Sequence, residues 1–324
     1  MKKIKVALIY GGKSVEHEIS LMSAKNVAEA MDKNKYRILK IKIDKIGNFD
    51  LDLLKKADVV FPVLHGPYGE DGSIQGLLKI LNLPFVGPSI LGSSVGFDKD
   101  VTKRLLNEAG ISNVKFMTFK RGEKISFSVV KKFLNLPMIV KPANSGSSVG
   151  INKVLNEKEF NKAIKDAFKF DNKIIIEKFI KDRREIECAV LGNSNPRASF
   201  CGEVIAGKIH KFYTYEAKYF DPNGAVLEIP AKISKTLQNK IQNLSVKTYK
   251  TLELEGMARV DFFLDKKGNL FVNEVNTIPG FTNISMYPAL WKHSGIAYSK
   301  LIDKLIEFAL ERFAREQKLQ TSVK

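Results

Sequence analysis

Ile4–Tyr10 is apolar except at Lys5 and breaks at Gly11-Gly12-Lys13. A short apolar run closed by glycines reads as a buried strand and a turn. Glu18–Met31 then sets Ile19, Met22, Val27 and Ala30 on or near one helical face, and Tyr36–Ile43 alternates with β-branched residues. Val59–Leu64 is continuously apolar, and its Pro62 points to an edge or a strand end. Ser73–Leu81 reads as a short helix, and Pro84-Phe85-Val86-Gly87-Pro88 closes the unit. Strand–helix–strand repetition of this kind predicts a doubly wound parallel sheet, α/β in class, over residues 1–90.

A second segment, 91–178, opens with a helix that Asp98 can cap and Gly110 can stop, carrying Val101, Leu105, Leu106 and Ala109. Strands follow near Val114–Phe119 and Met138–Val140, then a small-residue loop at Asn144–Gly150, a helix from Asn156 and a strand at Ile174–Glu177. The third segment, 179–324, is strand-rich to Ile229. It continues with a helix from Ser234, a hairpin near Ala258–Val275 and an amphipathic helix over Tyr298–Phe313. These two parts read as α+β.

Composition narrows the function. The 324 residues are 44% hydrophobic and 27% charged, an ordinary globular balance that excludes a disordered chain. No stretch reaches the ~20 apolar residues of a membrane span, and Met1-Lys2-Lys3 with the run behind it lacks a cleavage site. Two cysteines, Cys188 and Cys201, make neither a disulfide framework nor a zinc site, which fits a cytoplasmic protein. The net charge of +18 raises nucleic-acid binding, but the lysines are scattered as singles and pairs with no basic block. An anionic small molecule suits them better.

The hairpin carries the sharpest chemical signal. Residues two apart share a strand face, so Arg259 and Asp261 point one way, as do Glu274 and Asn276. A turn centred between Lys267 and Gly268 sets Asp261 opposite Glu274 and Arg259 opposite Asn276. Two carboxylates directly across a ladder repel unless a cation joins them, and two carboxylates with an amide suit Mg²⁺ or Mn²⁺ completed by phosphate oxygens. The plainer alternative is a solvated face on which Arg259 pairs with Asp261.

Lys141-Pro142-Ala143-Asn144-Ser145-Gly146-Ser147-Ser148-Val149-Gly150 offers a positive charge and a small-residue loop to phosphates, a weak signal alone. Gly12-Lys13-Ser14 is not a P-loop, since Ala7 stands where that motif needs glycine. Spacing makes Glu16 a helix cap. His65-Gly66-Pro67-Tyr68-Gly69-Glu70-Asp71-Gly72 follows a buried strand, where parallel sheets place ligands, and four aromatics crowd Phe212–Tyr219, a candidate lid.

Taken in order, these pieces resemble the D-alanine–D-alanine ligases of the ATP-grasp superfamily over nearly the whole chain, from Gly11-Gly12 to Glu274-Val275-Asn276-Thr277-Ile278-Pro279-Gly280-Phe281-Thr282. The resemblance implies three domains with ATP as co-substrate between the central and C-terminal ones, two Mg²⁺ or Mn²⁺ ions, D-alanine as substrate and a homodimer. It implies no nucleic-acid or membrane partner. Lys99, Lys141 and Lys218 then contact phosphates or nearby nucleotide groups, Glu177, Lys178 and Ile180 meet adenine, and Glu185 holds the ribose. Asp261, Glu274 and Asn276 match the metal ligands. Glu16 binds the first D-alanine's ammonium, replacing the cap assignment, with Ser147 and Tyr219 in its hydrogen-bond triad. Arg259 and the Gly280 N–H stabilise an oxyanion, and Ser285, Met286 and His65 lie by the second D-alanine.

The chain departs from the pattern at Asn144-Ser145, where many members carry charge, and at Lys181-Asp182-Arg183-Arg184, which adds a residue between the hinge and Glu185. The implied reaction is ATP-dependent dipeptide synthesis through an acylphosphate, for peptidoglycan precursors. Alternatives are D-alanyl-D-lactate or D-alanyl-D-serine synthesis, another ATP-grasp carboxylate–amine ligation, or nucleotide sensing without turnover.

Overall fold

The structure is a computed structural model describing residues 2–207, 225–320 and 322–323. Strand β1 (Ile4–Gly11) lies between β2 (Tyr36–Ile43) and β3 (Val59–Pro62) in a parallel sheet. Val6 to Ile9 are fully buried, which explains an apolar run without alternation. Val6 and Leu8 face α1 (His17–Ala30), and Ala7 and Ile9 face the core of α2 (Leu51–Leu54) and α3 (Ser73–Ile80). Pro62 ends its strand, as expected, because it has no N–H to continue the ladder.

Two short helices follow, α4 (Ile90–Phe97) and α5 (Lys99–Glu108). Asp98 accepts the Asp100 and Val101 N–H groups and so caps α5. A second sheet, β4 (Phe116–Lys120), β5 (Met138–Pro142), β6 (Asn152–Val154) and β7 (Lys173–Lys178), is antiparallel in the order β4-β7-β5-β6. It is backed by α6 (Phe127–Leu134) and by α7 (Glu157–Ala167), which Asn156 caps. Its core is its own: Val130, Leu134, Phe160, Ile174 and Ile176.

The third sheet has the order β10-β9-β8-β11-β12, also antiparallel. Its strands are β8 (Arg184–Leu191), β9 (Arg197–Ala206), β10 (Ala225–Glu228), β11 (Met257–Leu264) and β12 (Leu270–Asn276). Ile186, Cys188, Val190, Val260 and Phe262 pack with Ile241 and Tyr249 of α8 (Lys235–Thr251), leaving the alternate positions to the opposite face. Helices α9 (Met286–His293) and α10 (Tyr298–Glu316) complete the chain. Leu301, Ile302, Leu305 and Ile306 of α10 share one core with Val6 and Leu8, so the C-terminal helix covers a face of the first sheet.

Candidate functional site

The free face of the third sheet carries a row of charge. Glu187 of β8, Asp261 of β11 and Glu274 of β12 are successive cross-strand partners, and Ala189, Arg259 and Asn276 form the next row. The pairing expected from the turn is therefore present, by a different route. Leu264 pairs with Leu270 and Phe263 with Phe271, which centres the turn on Lys267, and a bulge opposite Asp261/Phe262 restores the register at the acidic row.

Arg259 donates to both Asp261 oxygens at 2.7 Å and lies 2.7 Å from Glu187. Burial alone would lower its pKa, but Asp261 and Glu187 hold it well above the ordinary value. The solvated alternative is thus corrected in one respect: the Arg259–Asp261 pair forms, but on a buried face, with Asp261 only 9% exposed. Asn276 Nδ2 donates to Asp261 at 2.9 Å, and Lys99 Nζ lies 3.4 Å from Glu274 and donates to the Ser145 carbonyl at 2.7 Å. The Asp261, Glu274 and Asn276 oxygens fit a hard divalent cation. Among the described residues no three His, Cys, Asp or Glu side chains cluster closely enough to hold an ion, so such a cation needs ligand oxygens as well.

Glu16 stands at the N-cap of α1, yet its side chain makes no cap bond. It turns away to accept a hydrogen bond from the Ser147 hydroxyl. Its Oε2 is buried without a hydrogen-bond partner. A methyl group added at Gly66 or Gly146 would come within 2.7 or 2.8 Å of that oxygen, so two glycines keep the space beside it open. Ser147 and Ser148 both have positive φ, 49° and 60°, a conformation that costs a serine about 1 kcal/mol or more and persists because the surroundings impose it.

His65 is buried between the Ser23 hydroxyl and the Ile278 carbonyl, 3.2 Å from each, and burial lowers its pKa. Glu70 accepts the Gly66 N–H at 2.8 Å and the Ile278 N–H at 3.3 Å, and burial, with the Glu16 charge adding to it, raises its pKa to about 8. Ser285 sits at the N-cap of α9, and its hydroxyl accepts the Thr282 N–H. A side chain at Gly280 would meet that hydroxyl at 2.8 Å.

One cavity is lined by Glu16, His65, Glu70, Lys99, Ser147, Glu187, Arg259, Glu274, Asn276, Gly280, Ser285 and Met286, among others. A second, between the second and third sheets, is lined among others by Lys141, Glu177, Lys178, Ile180, Arg183, Glu185, Glu187, Asp261 and Glu274. All the expected site residues within the described chain line one or the other. Lys218, Tyr219 and the Phe212–Tyr219 aromatic segment lie outside the described residues. The cavities meet at Glu187 and Glu274.

Within the second cavity Glu177 is bound on both sides, by Lys103 and by Lys141, each at 2.9 Å. All three are buried. Burial opposes the Glu177 charge, but the two lysines outweigh it and hold the carboxyl below its ordinary value, while burial lowers Lys103.

Sequence reasoning misses Lys103 and Glu187, and names Glu70 only as part of the 65–72 segment, without a role of its own. Strand alternation could have found Glu187, two residues after Glu185 on the same face. Nothing local distinguishes Lys103 from a surface lysine.

Comparison with known proteins gives the family. The family profile described as D-ala D-ala ligase C-terminus matches residues 105–307, and the one described as D-ala D-ala ligase N-terminus matches residues 5–54 and 48–88. A D-alanine–D-alanine ligase of Shouchella clausii is 46% identical over 367 aligned positions, covering 100% of this chain and 99% of the relative. D-alanine–D-alanine ligase A of Escherichia coli K12 is 45% identical, covering 100% of both. Among solved structures, the D-alanine–D-alanine ligase from Coxiella burnetii superposes with a TM-score of 0.87 at 37% identity, covering 98% of this chain and 97% of that one. A D-Ala:D-Ser ligase from Enterococcus faecalis gives 0.85 at 34%, covering 95% and 100%. The architecture is the ATP-grasp fold, a parallel N-terminal sheet with two antiparallel sheets enclosing a cleft. With both profiles matched and relatives aligned from end to end, the chain belongs to the D-alanine–D-alanine ligase family.

Proposed function

We propose that this chain joins two D-alanines to D-alanyl-D-alanine with ATP, forming ADP and phosphate, in the cytoplasm for peptidoglycan precursors. The observation that carries the reading is the meeting of the two cavities at Glu187 and Glu274. It brings an amino-acid site and a nucleotide site together at one acidic row.

The open oxygen of Glu16 takes the ammonium of the first D-alanine, and Ser147 fixes the other oxygen. That D-alanine's carboxylate attacks the γ-phosphate of ATP, ADP leaves and an acylphosphate forms. The amine of the second D-alanine, beside Ser285, Met286 and His65, attacks the acyl carbon. Phosphate leaves and the amine proton is released to solvent. Negative charge develops on the carbonyl oxygen in this step, and Arg259 and the Gly280 N–H, from residues lining the same cavity, would stabilise it. Lys99, Lys141 and Lys218 serve the phosphates. Glu185 takes the ribose, and the 177–180 backbone with Lys178 and Ile180 meets the adenine, since the Glu177 carboxylate is committed to its two lysines. Asp261, Glu274 and Asn276 would hold two Mg²⁺ or Mn²⁺ ions, which would supply Lewis-acid charge for phosphoryl transfer. Three domains, 1–90, 91–178 and 179–324, and a homodimer complete the proposal.

The test is ATP- and Mg²⁺-dependent phosphate release with D-alanine against L-alanine, with the product identified. Release with D-alanine alone, yielding the dipeptide, is expected. ATP binding without release would leave a nucleotide sensor. A D-Ala:D-Ser ligase among the structural relatives makes D-serine the informative competitor, together with D-lactate. Tyr219, a position typically Phe in depsipeptide-forming relatives, favours an amine nucleophile over D-lactate.

A further inference from the structure

Arg183 belongs to the segment Lys181–Arg184 that sets this chain apart between the hinge and Glu185. The two neighbouring arginines divide. Arg184 turns to Glu203 and to the Lys232 carbonyl, whereas Arg183 lines the second cavity. Asp182, with φ of 52°, reverses the chain just before it and pairs with Lys266 of the hairpin turn at 2.8 Å. The Arg183 guanidinium lies 4.2 Å from the Phe263 ring centre and 5.2 Å from that of Phe179. One arm donates to the Ile180 carbonyl at 3.3 Å and the other to Glu185 Oε1 at 2.9 Å.

We propose that Arg183 is a positioning residue for the nucleotide: its fork spans the hinge carbonyl of Ile180 and the Glu185 carboxylate and fixes the distance between the base-reading and ribose-reading groups. The inference rests on the reading of the second cavity as the nucleotide site. Glu185 is the more exposed partner, 36% against 17% for Arg183, and a glutamate on a strand end otherwise spreads over several rotamers. The bond to Oε1 selects one rotamer and leaves Oε2 for a sugar hydroxyl. Phe263, the direct cross-strand partner of Glu185, supports the guanidinium from the sheet, so fork and carboxylate are referred to the same ladder. The positive charge also offsets Glu185 beside an anionic ligand. A lysine offers one point charge and cannot span both acceptors.

The experiment compares wild type, Arg183→Met, Arg183→Lys and Glu185→Gln by steady-state kinetics with ATP, 2′-deoxy-ATP and 3′-deoxy-ATP. Arg183→Met keeps the stem on Phe263 and is expected to raise KM for ATP about tenfold with kcat little changed, the scale of one charge-assisted hydrogen bond. Its preference for ATP over a deoxynucleotide is expected to shrink as it does in Glu185→Gln, and Arg183→Lys to behave like Arg183→Met. If Glu185→Gln loses the preference while the Arg183 variants keep wild-type KM and preference, the role of Arg183 is overturned and the ribose reading stands. If Glu185→Gln keeps the preference, the ribose reading itself fails. If Arg183→Met does not fold, Arg183→Lys decides, and wild-type discrimination there overturns the fork.

Discussion

Glu16 and Ser147, 131 residues apart in the chain, meet across the cleft through a hydrogen bond from the Ser147 hydroxyl to Glu16 Oε1. One belongs to the turn after β1 and the other to the loop after β5. Their contact joins the first sheet's ligand edge to the second sheet. Replacing Glu16 by Gln removes the charge proposed to face the first D-alanine's ammonium. The expected result is a rise of about 10–100-fold in KM for that D-alanine, the cost of a lost charged partner in a buried site. The dissociation constant for ATP, measured in the absence of D-alanine, stays near wild type.

The acidic row predicts a different signature. Asp261→Asn and Glu274→Gln are each expected to lower kcat by about 100-fold or more, since each would loosen the divalent cations proposed to offset negative charge building up in the transition state. Titration with Mg²⁺ and with Mn²⁺ checks the assignment, and near-normal turnover in either variant would remove it.

Glu70 gives a pH dependence. Its pKa is raised to about 8 by burial first and by Glu16 second, against an unfolded value near 4.5. Between those values the folded chain holds a proton that the unfolded chain has lost, so stability contributed at this site falls as pH rises and levels off above 8. Glu70→Gln abolishes that part of the decline. The difference between the wild-type and variant denaturation free energies, followed from pH 5 to 8.5, reports it. A constant difference would place the ionised form in the folded protein.

Lys103 predicts a stability loss. Arm and charge are fully buried against Glu177. Lys103→Met leaves Glu177 with Lys141 alone, and the expected cost is about 3 kcal/mol, the lower end for breaking a buried pair when a second partner remains. Urea denaturation measures it.

How much of this was legible in the sequence differs by element. The Val6–Ile9 run, the Asp98 and Asn156 caps and the hairpin faces declare themselves through periodicity and cap chemistry within a few residues. Helix α4 reads Ile-Leu-Gly-Ser-Ser-Val-Gly-Phe, poor in helix formers, and gave no signal because tertiary packing forms it. Short α6, with its paired valines, β6 with three residues, and α9, which carries a proline, carry little local signal either. The register at Asp261 and Glu274 is legible in the sequence although the bulge is not, because the bulge offsets a turn centre displaced by half a residue. Glu16 shows the limit of local reading: it occupies a cap position, and only a serine in a distant loop explains why its side chain does not cap.

The separate core of the second sheet has a mechanical consequence. The first sheet and α10 are welded by shared apolar packing, while the second sheet meets the first through Ser147 on Glu16 and meets α5 through Lys99 on Ser145 and Lys103 on Glu177. Water can replace the part-buried Ser147 and Lys99 links one at a time, whereas it enters neither the buried Lys103–Glu177 pair nor a packed apolar layer piecemeal. The expected consequence is a cleft that opens first where Ser147 meets Glu16, with the sheet carrying the Ser/Gly loop moving as a body and its own interior left intact.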